Sequence, residues 1–256
     1  MTGKVVLITG AARRVGAALA RGLAAEGWTA AIHHRSGADE ARAVVDDIAA
    51  AGGRADSFFA DLSDERSRGG LIMAVVERFG RIDALINNAS MFAYDTLDDL
   101  EPSLWDAHLA ANLTAPVFLI RDFARAVAKQ GGEGAVVNVL DHKLVAANPD
   151  FLSYTAGKAG LGALTASLAL GLAPAIRLNA VSPGLILRSG DQSDEEYQKA
   201  WSDTPLGRGT SLEDMLSTVR FLLGTRGITG QVITVDGGEY LKPRGRDVAF
   251  DPKLKA

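Results

Sequence analysis

A glycine-bearing turn between two short apolar segments, at the start of the chain, restricts the fold more than any other feature. Residues 4–9 and residues 29–34 are predominantly apolar runs of the kind found in buried parallel strands. Val15, Leu19 and Leu23 lie between them at helical spacing. Such a βαβ unit directs a helix N-terminus, with free N–H groups and the positive end of its dipole, towards the sheet edge. We therefore expect a pyrophosphate-binding turn here.

Strand-like and helical segments alternate along the rest of the chain. Further strands are predicted over residues 54–60, 84–87, 135–139, 177–181 and 231–235. Helices are predicted over residues 38–51, 64–79, 103–129, 154–172 and 212–224. This regular alternation predicts an α/β fold with a Rossmann-type, doubly wound, seven-stranded parallel sheet and helices on both faces. A single domain is expected to span residues 1–256.

Local features refine this outline. Ser63 is the expected N-cap of the helix that ends at Phe79, and Pro116 is expected to kink or interrupt the long fourth helix, 103–129. Residues 185–209 are rich in charge and glycine, and we expect an irregular insertion that contacts substrate at the carboxyl edge of the sheet. The polar tail 242–256 is expected to extend from the core.

Composition excludes several classes of function. A formal net charge of -4 and a pI near 5.6 argue against a general nucleic-acid-binding surface. The chain has no cysteine, which removes disulfides, thiol chemistry and cysteine-ligated metals, and we expect no metal site. No uncharged apolar run approaches the ~20 residues of a membrane span. The first strand begins at once, without room for a signal peptide, so a soluble, cytoplasmic protein is expected.

The end of the second predicted strand indicates which dinucleotide is bound. An NAD site places Asp or Glu roughly 20 residues beyond the glycines to hold the ribose 2′-hydroxyl. Here Arg35 lies nineteen residues after Gly16, and no acidic residue occurs before Asp39. A cation and a hydroxyl suit a 2′-phosphate, so NADP(H) is the expected cofactor. The candidate contacts are His34, Arg35 and Ser36.

Tyr154 and Lys158 lie four residues apart at the start of a predicted helix, so they share a face. A nearby ammonium favours the phenolate and is expected to lower the pKa of Tyr154, making it a proton donor near neutral pH. A surface tyrosine beside a solvated lysine is the alternative. Asp141 precedes the tyrosine by thirteen residues. It either takes part in the same chemistry, or caps a loop or pairs with His142 or Lys143.

The turn from Thr9 to Gly16 resembles the T-G-x-x-x-G-x-G turn of the short-chain dehydrogenase/reductase family. Arg14 replaces the middle glycine of that pattern, and an arginine there is similar to the pteridine reductase branch of the family. The resemblance implies cofactor contacts along the turn and an anchoring role for Arg14 towards pyrophosphate or substrate. The alternative is that Arg13 and Arg14 are ordinary solvated charges. The implied contacts of the turn are Gly10, Arg14, Val15 and Gly16.

The same resemblance extends over residues 4–241. Asn87-Asn88-Ala89 is similar to the family's Asn-Asn-Ala-Gly signature, with Ser90 in place of the glycine, and Tyr154 with Lys158 matches its catalytic pair. The resemblance implies that Asn112 helps to hold a water for proton relay; loop hydrogen bonding is the alternative for Asn88 and Asn112. The further implied cofactor contacts are Asp61, Leu62, Asn88, Ala89, Ser90, Tyr154, Lys158, Pro183 and Gly184.

Asp141 occupies the position at which the family usually has serine. An ionised aspartate would raise the pKa of the phenol and oppose Lys158, which suits ketone reduction poorly but suits a basic C=N group that needs a proton at nitrogen. Pteridine reductases resemble the chain here too, and the resemblance implies that Phe92 stacks a flat pterin against the nicotinamide. The expected substrate contacts are Arg14, Ser90, Phe92, Asp141 and Tyr154.

The predicted function is NADPH-dependent reduction of a pterin-type C=N bond, with a dihydropterin or dihydrofolate as substrate. Asp141, Tyr154, Lys158 and Asn112 are the expected catalytic residues. One alternative is a carbonyl reductase of the 3-oxoacyl type on the same scaffold, and another is a non-catalytic NADP-binding redox sensor. The resemblance further implies a homotetramer.

Overall fold

Seven parallel strands form one sheet in a computed structural model, which describes residues 3–188, 192–242 and 244–251. The spatial order of the strands is β3-β2-β1-β4-β5-β6-β7. Because the chain returns from the β3 edge to place β4 beside β1, the order reverses at β1, and the predicted doubly wound Rossmann-type fold is confirmed. The strands are β1 Val5–Ile8, β2 Thr29–His34, β3 Arg54–Phe59, β4 Ala84–Asn87, β5 Gly134–Val139, β6 Ile176–Pro183 and β7 Val232–Val235.

Helices cover both faces of this sheet. They are α1 Arg14–Ala25, α2 Ala38–Ala50, α3 Glu65–Phe79, α4 Pro102–Leu109, α5 Ala115–Gln130, α6 Leu152–Leu172, α7 Asp194–Ser202 and α8 Leu212–Gly224. Alternate strand residues point to opposite faces, so Val6 and Ile8 pack with α1, α2 and α8, whereas Val5 and Leu7 pack with α3 and α5. Within the described residues, no helix is both long and apolar enough to cross a membrane.

The N-cap predicted for α3 was wrong by one residue. Asp64, not Ser63, is the N-cap, and its carboxylate accepts a hydrogen bond from Ser67 N at 2.7 Å. Ser63 instead donates its hydroxyl to Asp61 at 2.6 Å. Both residue types make good caps, so the backbone turn and not the residue preference decides between neighbours.

The predicted interruption of the long helix near Pro116 is confirmed. A π-helical segment, Ala110–Thr114, separates α4 from α5, and Pro116 lies in the first turn of α5. Proline costs no hydrogen bond in a first turn, since the N–H it lacks would have no intrahelical partner there. Asn112 lies within the π-helical segment and is fully buried.

Two predictions about the C-terminal third were wrong. The 185–209 insertion is not wholly irregular, because Ser193 and Glu196 form a capping box that starts α7 within it; residues 189–191 lie outside the described part of the chain. The described part of the tail does not extend from the core: residues 244–251 fold back against residues 143–151, whereas residues 243 and 252–256 lie outside the described part of the chain. Long-range ion pairs hold them there, and these have no local sequence signal.

Candidate active site

The turn between β1 and α1 is shaped by close backbone contacts. Gly10 has φ +64°, and a Cβ there would lie 2.9 Å from Ala89 Cα. A Cβ on Gly16 would lie 2.5 Å from Gly10 O and 2.6 Å from Asn88 Nδ2. Neither position accepts a side chain without a backbone shift. The two glycines therefore bring the N-terminus of α1 against the end of β4.

His33 supports this turn, and it was not among the predicted site residues. Gly10 N donates to His33 Nδ1 at 3.0 Å, so Nε2 carries the proton and donates to Ala60 O at 3.0 Å. Burial lowers the pKa of His33 to about 4, against the opposing effect of the Ala60 carbonyl. The neutral ring thus joins β2, the glycine turn and the end of β3. A signal was available, since polar His33 lies in a fully buried strand.

Asn88 also supports the turn from β4. Its Nδ2 donates to Thr9 O at 2.9 Å and to Gly10 O at 3.2 Å. Thr9 Oγ1 in turn accepts from Asn88 N and Ala89 N, both at 2.9 Å. The loop-bonding alternative therefore describes the Asn88 side chain, while cofactor contact by Asn88 and Ala89 remains a prediction.

The N-terminus of α1 fits an anionic group. Its N-cap, Arg13, makes no side-chain hydrogen bond to the helix, and no acidic residue lies in the first turn, whereas α3, α7 and α8 each have a capping side chain. Arg14 has φ +52° and donates to Arg188 O at 3.0 Å. Arg13 forms an ion pair with Glu40, in line with a surface charge. Uncapped N–H groups beside a guanidinium are the donors that a pyrophosphate requires.

The residues at the end of β2 fit the 2′-phosphate end of the dinucleotide. Arg35 and Ser36 are exposed, and His34 is buried with no partner for Nδ1. Asp61 accepts from Ser63 N and Oγ, and these hydrogen bonds lower its pKa, with a smaller contribution from the Arg35 charge. Leu62 is buried beside it. The cation, the hydroxyl and the orphaned ring nitrogen are a suitable donor set for phosphate oxygens.

A cleft of about 860 Å³ opens along the carboxyl ends of the central strands. The predicted residues that line it are Arg14, Val15, Asn88, Ser90, Phe92, Asp141, Tyr154, Lys158, Pro183 and Gly184. The remaining predicted residues are part of the glycine turn, the ends of β2 and β3, and the buried support behind the cleft; they are Gly10, Gly16, His34, Arg35, Ser36, Asp61, Leu62, Ala89 and Asn112.

Tyr154 and Asp141 meet inside this cleft. Tyr154 Oη donates to Asp141 Oδ2 at 2.7 Å. The pKa of Tyr154 is raised well above its usual value, first by burial and then by the Asp141 carboxylate. The expected lowering by Lys158 was therefore wrong, because an adjacent carboxylate outweighs an ammonium that lies 5.9 Å from the phenol ring. The hydroxyl keeps its proton.

Lys158 is held just behind this pair. Its Nζ donates to Val139 O at 2.8 Å, and burial lowers its pKa to about 8, although the Asp141 charge acts in the opposite direction. The ammonium is therefore charged at neutral pH in the uncomplexed protein. The surface-pair alternative is excluded for both Lys158 and Tyr154, because both are buried.

Asp141 has structural contacts as well. Its Oδ1 accepts from Lys143 N at 2.9 Å, which starts a short 3₁₀ turn, and its backbone carbonyl accepts from Ser182 Oγ at 2.6 Å. His142 Nδ1 lies 3.6 Å from Oδ1. The loop-capping interpretation is thus seen for one carboxylate oxygen, while the other faces Tyr154 and a part for Asp141 in the chemistry remains a prediction.

Aromatic rings form one wall of the cleft. Phe92 stacks on Phe151 with ring centroids 4.1 Å apart and meets Tyr154 edge-on at 4.8 Å. Because 47% of Phe92 remains exposed, part of the ring is open to the cleft. Tyr94 contacts Phe151 at 5.3 Å and Phe250 at 4.5 Å. A flat ligand therefore has an apolar surface next to the Tyr154 hydroxyl.

Asn112 holds the loop that carries Ser90. Its Oδ1 accepts from Ser90 Oγ at 3.0 Å and from Met91 N at 2.9 Å, and its Nδ2 donates to Met91 O at 2.9 Å. The loop-bonding alternative is thus seen for the Asn112 side chain. A role in proton relay remains a prediction.

The C-terminal strap, residues 244–251, forms the outer wall of the cleft. Arg246 Nη2 donates to Asp150 Oδ1 at 2.7 Å, and Asp247 N donates to Asp150 Oδ2 at 2.7 Å. Lys143, itself buried, donates to Asp247 Oδ2 at 3.2 Å. Burial would raise the pKa of Asp150, but the hydrogen bonds from Arg246 and Asp247 N lower it. The strap is thereby fixed to the loop that precedes α6.

This sheet order, the glycine turn and the Tyr154/Lys158 pair together define an NAD(P)-dependent oxidoreductase of the short-chain type. The model of the Enoyl-(Acyl carrier protein) reductase family matches residues 10–239. The chain belongs to the short-chain dehydrogenase/reductase family.

Solved structures and curated relatives are similar along nearly the whole chain. FolM Alternative dihydrofolate reductase 1 from Brucella suis, in complex with NADP, is 40% identical with a TM-score of 0.89, covering 94% of this chain and 97% of that one. An L-rhamnose 1-dehydrogenase (NAD(P)(+)) from Azotobacter vinelandii is 36% identical, with coverage of 93% and 97%. A 3-oxoacyl-[acyl-carrier-protein] reductase FabG from Staphylococcus aureus is 34% identical, with coverage of 93% and 98%.

Proposed function

We propose that the protein is an NADPH-dependent reductase of the C=N bond of a dihydropterin or dihydrofolate. The observation that carries this proposal is the 2.7 Å hydrogen bond from Tyr154 Oη to Asp141 Oδ2. A phenol whose pKa is raised is a weak acid towards a ketone oxygen, whereas a carboxyl group can hold a proton close to a basic ring nitrogen. Likeness to a FolM dihydrofolate reductase structure supports the same substrate class.

Each residue of the site has a separate role in the proposed reduction. When bound, reduced nicotinamide supplies a hydride to the carbon of the C=N bond. A proton drawn from solvent passes through Asp141 and Tyr154 to the ring nitrogen, so that the hydride and this proton together saturate the bond and both residues return to their starting protonation states. Lys158 holds the cofactor ribose with its charged ammonium, and the open part of Phe92 orients the flat ring.

NADPH is the proposed cofactor because Arg35 and Ser36 are exposed at the end of β2 and no carboxylate occupies that position. A phosphate there gains charge-assisted hydrogen bonds from the guanidinium. Arg35→Asp should therefore reverse the preference for NADPH over NADH. Arg42→Asp, a change of the same charge on an exposed part of α2, is the matched control and should not.

A second candidate function is reduction of a 3-oxoacyl or sugar-derived carbonyl, favoured by the names of the FabG and rhamnose dehydrogenase relatives. It uses the same cofactor cleft and differs only in the group that receives the hydride. The buried Tyr154/Lys158 pair speaks against a non-catalytic sensor, which has no need of a proton donor.

One assay separates these functions. NADPH oxidation is followed with a dihydropterin, dihydrofolate and an acetoacetyl thioester, for wild type, Asp141→Asn and Asp141→Ser. Turnover of the pterin, lost in both variants, supports the proposal, because Asn keeps the shape of the carboxylate but cannot exchange a proton. Turnover of the thioester alone, or full pterin turnover by Asp141→Ser, contradicts it.

A further inference from the structure

A series of buried, hydrogen-bonded polar side chains, separate from Asp141, Tyr154 and Lys158, joins three structural elements around the cleft. His108 of α4, Ser153 at the start of α6 and Asp95 of the loop after β4 are each buried. We propose that His108 is a positioning residue, which through Ala93 and Ser153 sets the place of Phe92 against Tyr154 and thereby the orientation of the substrate ring. This rests on the role given to Phe92 in the proposed function.

The direction of each hydrogen bond in the chain is determined. Ala93 N donates to His108 Nε2 at 3.1 Å, so Nε2 has no proton and Nδ1 carries it. Nδ1 then donates to Ser153 Oγ at 2.6 Å, and the Ser153 hydroxyl donates to Asp95 Oδ2. Only the neutral imidazole with its proton on Nδ1 gives every donor and acceptor in this series a partner. Burial favours this neutral ring by lowering the pKa of His108, against the smaller opposing effect of the Asp95 charge.

The same group of hydrogen-bonded residues also caps α6, the helix that carries Tyr154. Phe151, the N-cap of α6, has no side chain that can accept a hydrogen bond. Asp95 supplies the acceptor instead, since its Oδ1 accepts from Ser153 N at 3.1 Å and its backbone carbonyl accepts from Leu152 N at 3.3 Å. Asp95 therefore fixes the first turn of the helix that carries Tyr154.

Two of these hydrogen-bonded residues are sequence neighbours of the side chains that bound the space for a flat ligand. Ala93 is the neighbour of Phe92, and Ser153 is the neighbour of Tyr154. The His108 ring lies 6.4 Å from the Tyr154 ring, and the Phe92 ring meets Tyr154 at 4.8 Å. A shift of the loop against α6 changes the space open to a flat ligand, whereas the hydrogen bonds of these residues involve neither the glycine turn nor the end of β2.

Two substitutions of His108 separate its two contacts. In His108→Gln the amide reaches the place of Nε2 and can accept from Ala93 N; in His108→Asn it reaches only the place of Nδ1. We expect the KM for dihydropterin to rise about fivefold in His108→Asn, the effect of one lost hydrogen bond, and to stay within about twofold in His108→Gln. The KM for NADPH should not change in either variant. Ser153→Ala leaves the contact between Ala93 N and His108 Nε2 in place, as His108→Gln does, and should likewise keep the KM for dihydropterin within about twofold.

A double-mutant cycle with Phe92→Leu tests the route of the effect. If His108 acts through Phe92, His108→Asn should raise the KM no further in the Phe92→Leu background. An equal fold-change in both backgrounds, no effect of Phe92→Leu itself, or a parallel change in the KM for NADPH would overturn the proposal. If wild type reduces the thioester and not the pterin, the proposed function fails separately, and the same cycle on the thioester still tests the positioning.

Discussion

The glycine turn is predicted to lose stability in mild acid through His33. Its pKa is lowered from 6.5 to about 4 in the folded chain, so between these values the unfolded chain binds a proton that the folded chain does not. Stability therefore falls as the pH falls through this window. The full shift corresponds to about 3 kcal/mol, of which about 2 kcal/mol is lost by pH 5.0. A protonated ring cannot accept from Gly10 N, so the loss falls on the cofactor turn.

Urea unfolding of wild type and His33→Asn at pH 7.5 and pH 5.0 measures this. The asparagine side chain keeps an acceptor near the place of Nδ1 but does not titrate. The His33→Asn protein should be less stable than wild type at pH 7.5, because the contact with Ala60 O is lost. Between pH 7.5 and pH 5.0 its free energy of unfolding should fall by about 2 kcal/mol less than that of wild type. Because the two proteins share all other titratable groups, the difference between them reports the pH dependence of stability that is due to His33. Equal losses in the two proteins would refute the assignment of this pH dependence to His33.

Three further predictions concern Lys158, a helix cap and the strap. NADPH affinity should fall about tenfold between pH 7 and pH 9 as Lys158 loses its charge, and Lys158→Met should abolish that dependence in a fluorescence titration. Asp64→Ala should cost about 1 kcal/mol in urea unfolding, and an equal cost for Ser63→Ala would contradict the cap assignment. Phe250→Ala should lower the stability by about 1–2 kcal/mol through lost ring contacts with Tyr94, and no loss of stability would show that the strap does not pack there in solution.

Much of the fold was predictable because its signals are local. The apolar runs of β1 and β2 and the spacing of Val15, Leu19 and Leu23 identify the first βαβ unit without any knowledge of the partners. The seven parallel strands follow from β–α alternation and the right-handed crossover. The N-cap of α3 was missed by one residue because Ser63 and Asp64 have equal propensity.

The meeting of Asp141 and Tyr154 was predictable from the sequence, but the electrostatics of the pair was not. Asp141 and Tyr154 were expected to lie together, and they do, at 2.7 Å. The pKa of Tyr154 was expected to fall and instead rises, since burial and the orientation of Asp141 are properties of the folded cleft. His33 was passed over because its two partners lie 23 and 27 residues away along the chain.

The sequence by itself determined the strand–turn–helix order, the dinucleotide-binding character of the turn and the identity of the residues at the carboxyl edge, because each depends on neighbours within one or two helical turns. Tertiary structure alone decided where the tail goes and which way the buried protons point. The strap is held by Arg246 and Asp150, 96 residues apart, and the His108 tautomer is set by Ala93 and Ser153 on other elements. Contacts of that separation have no local pattern, and they form only when the sheet brings its loops to one edge.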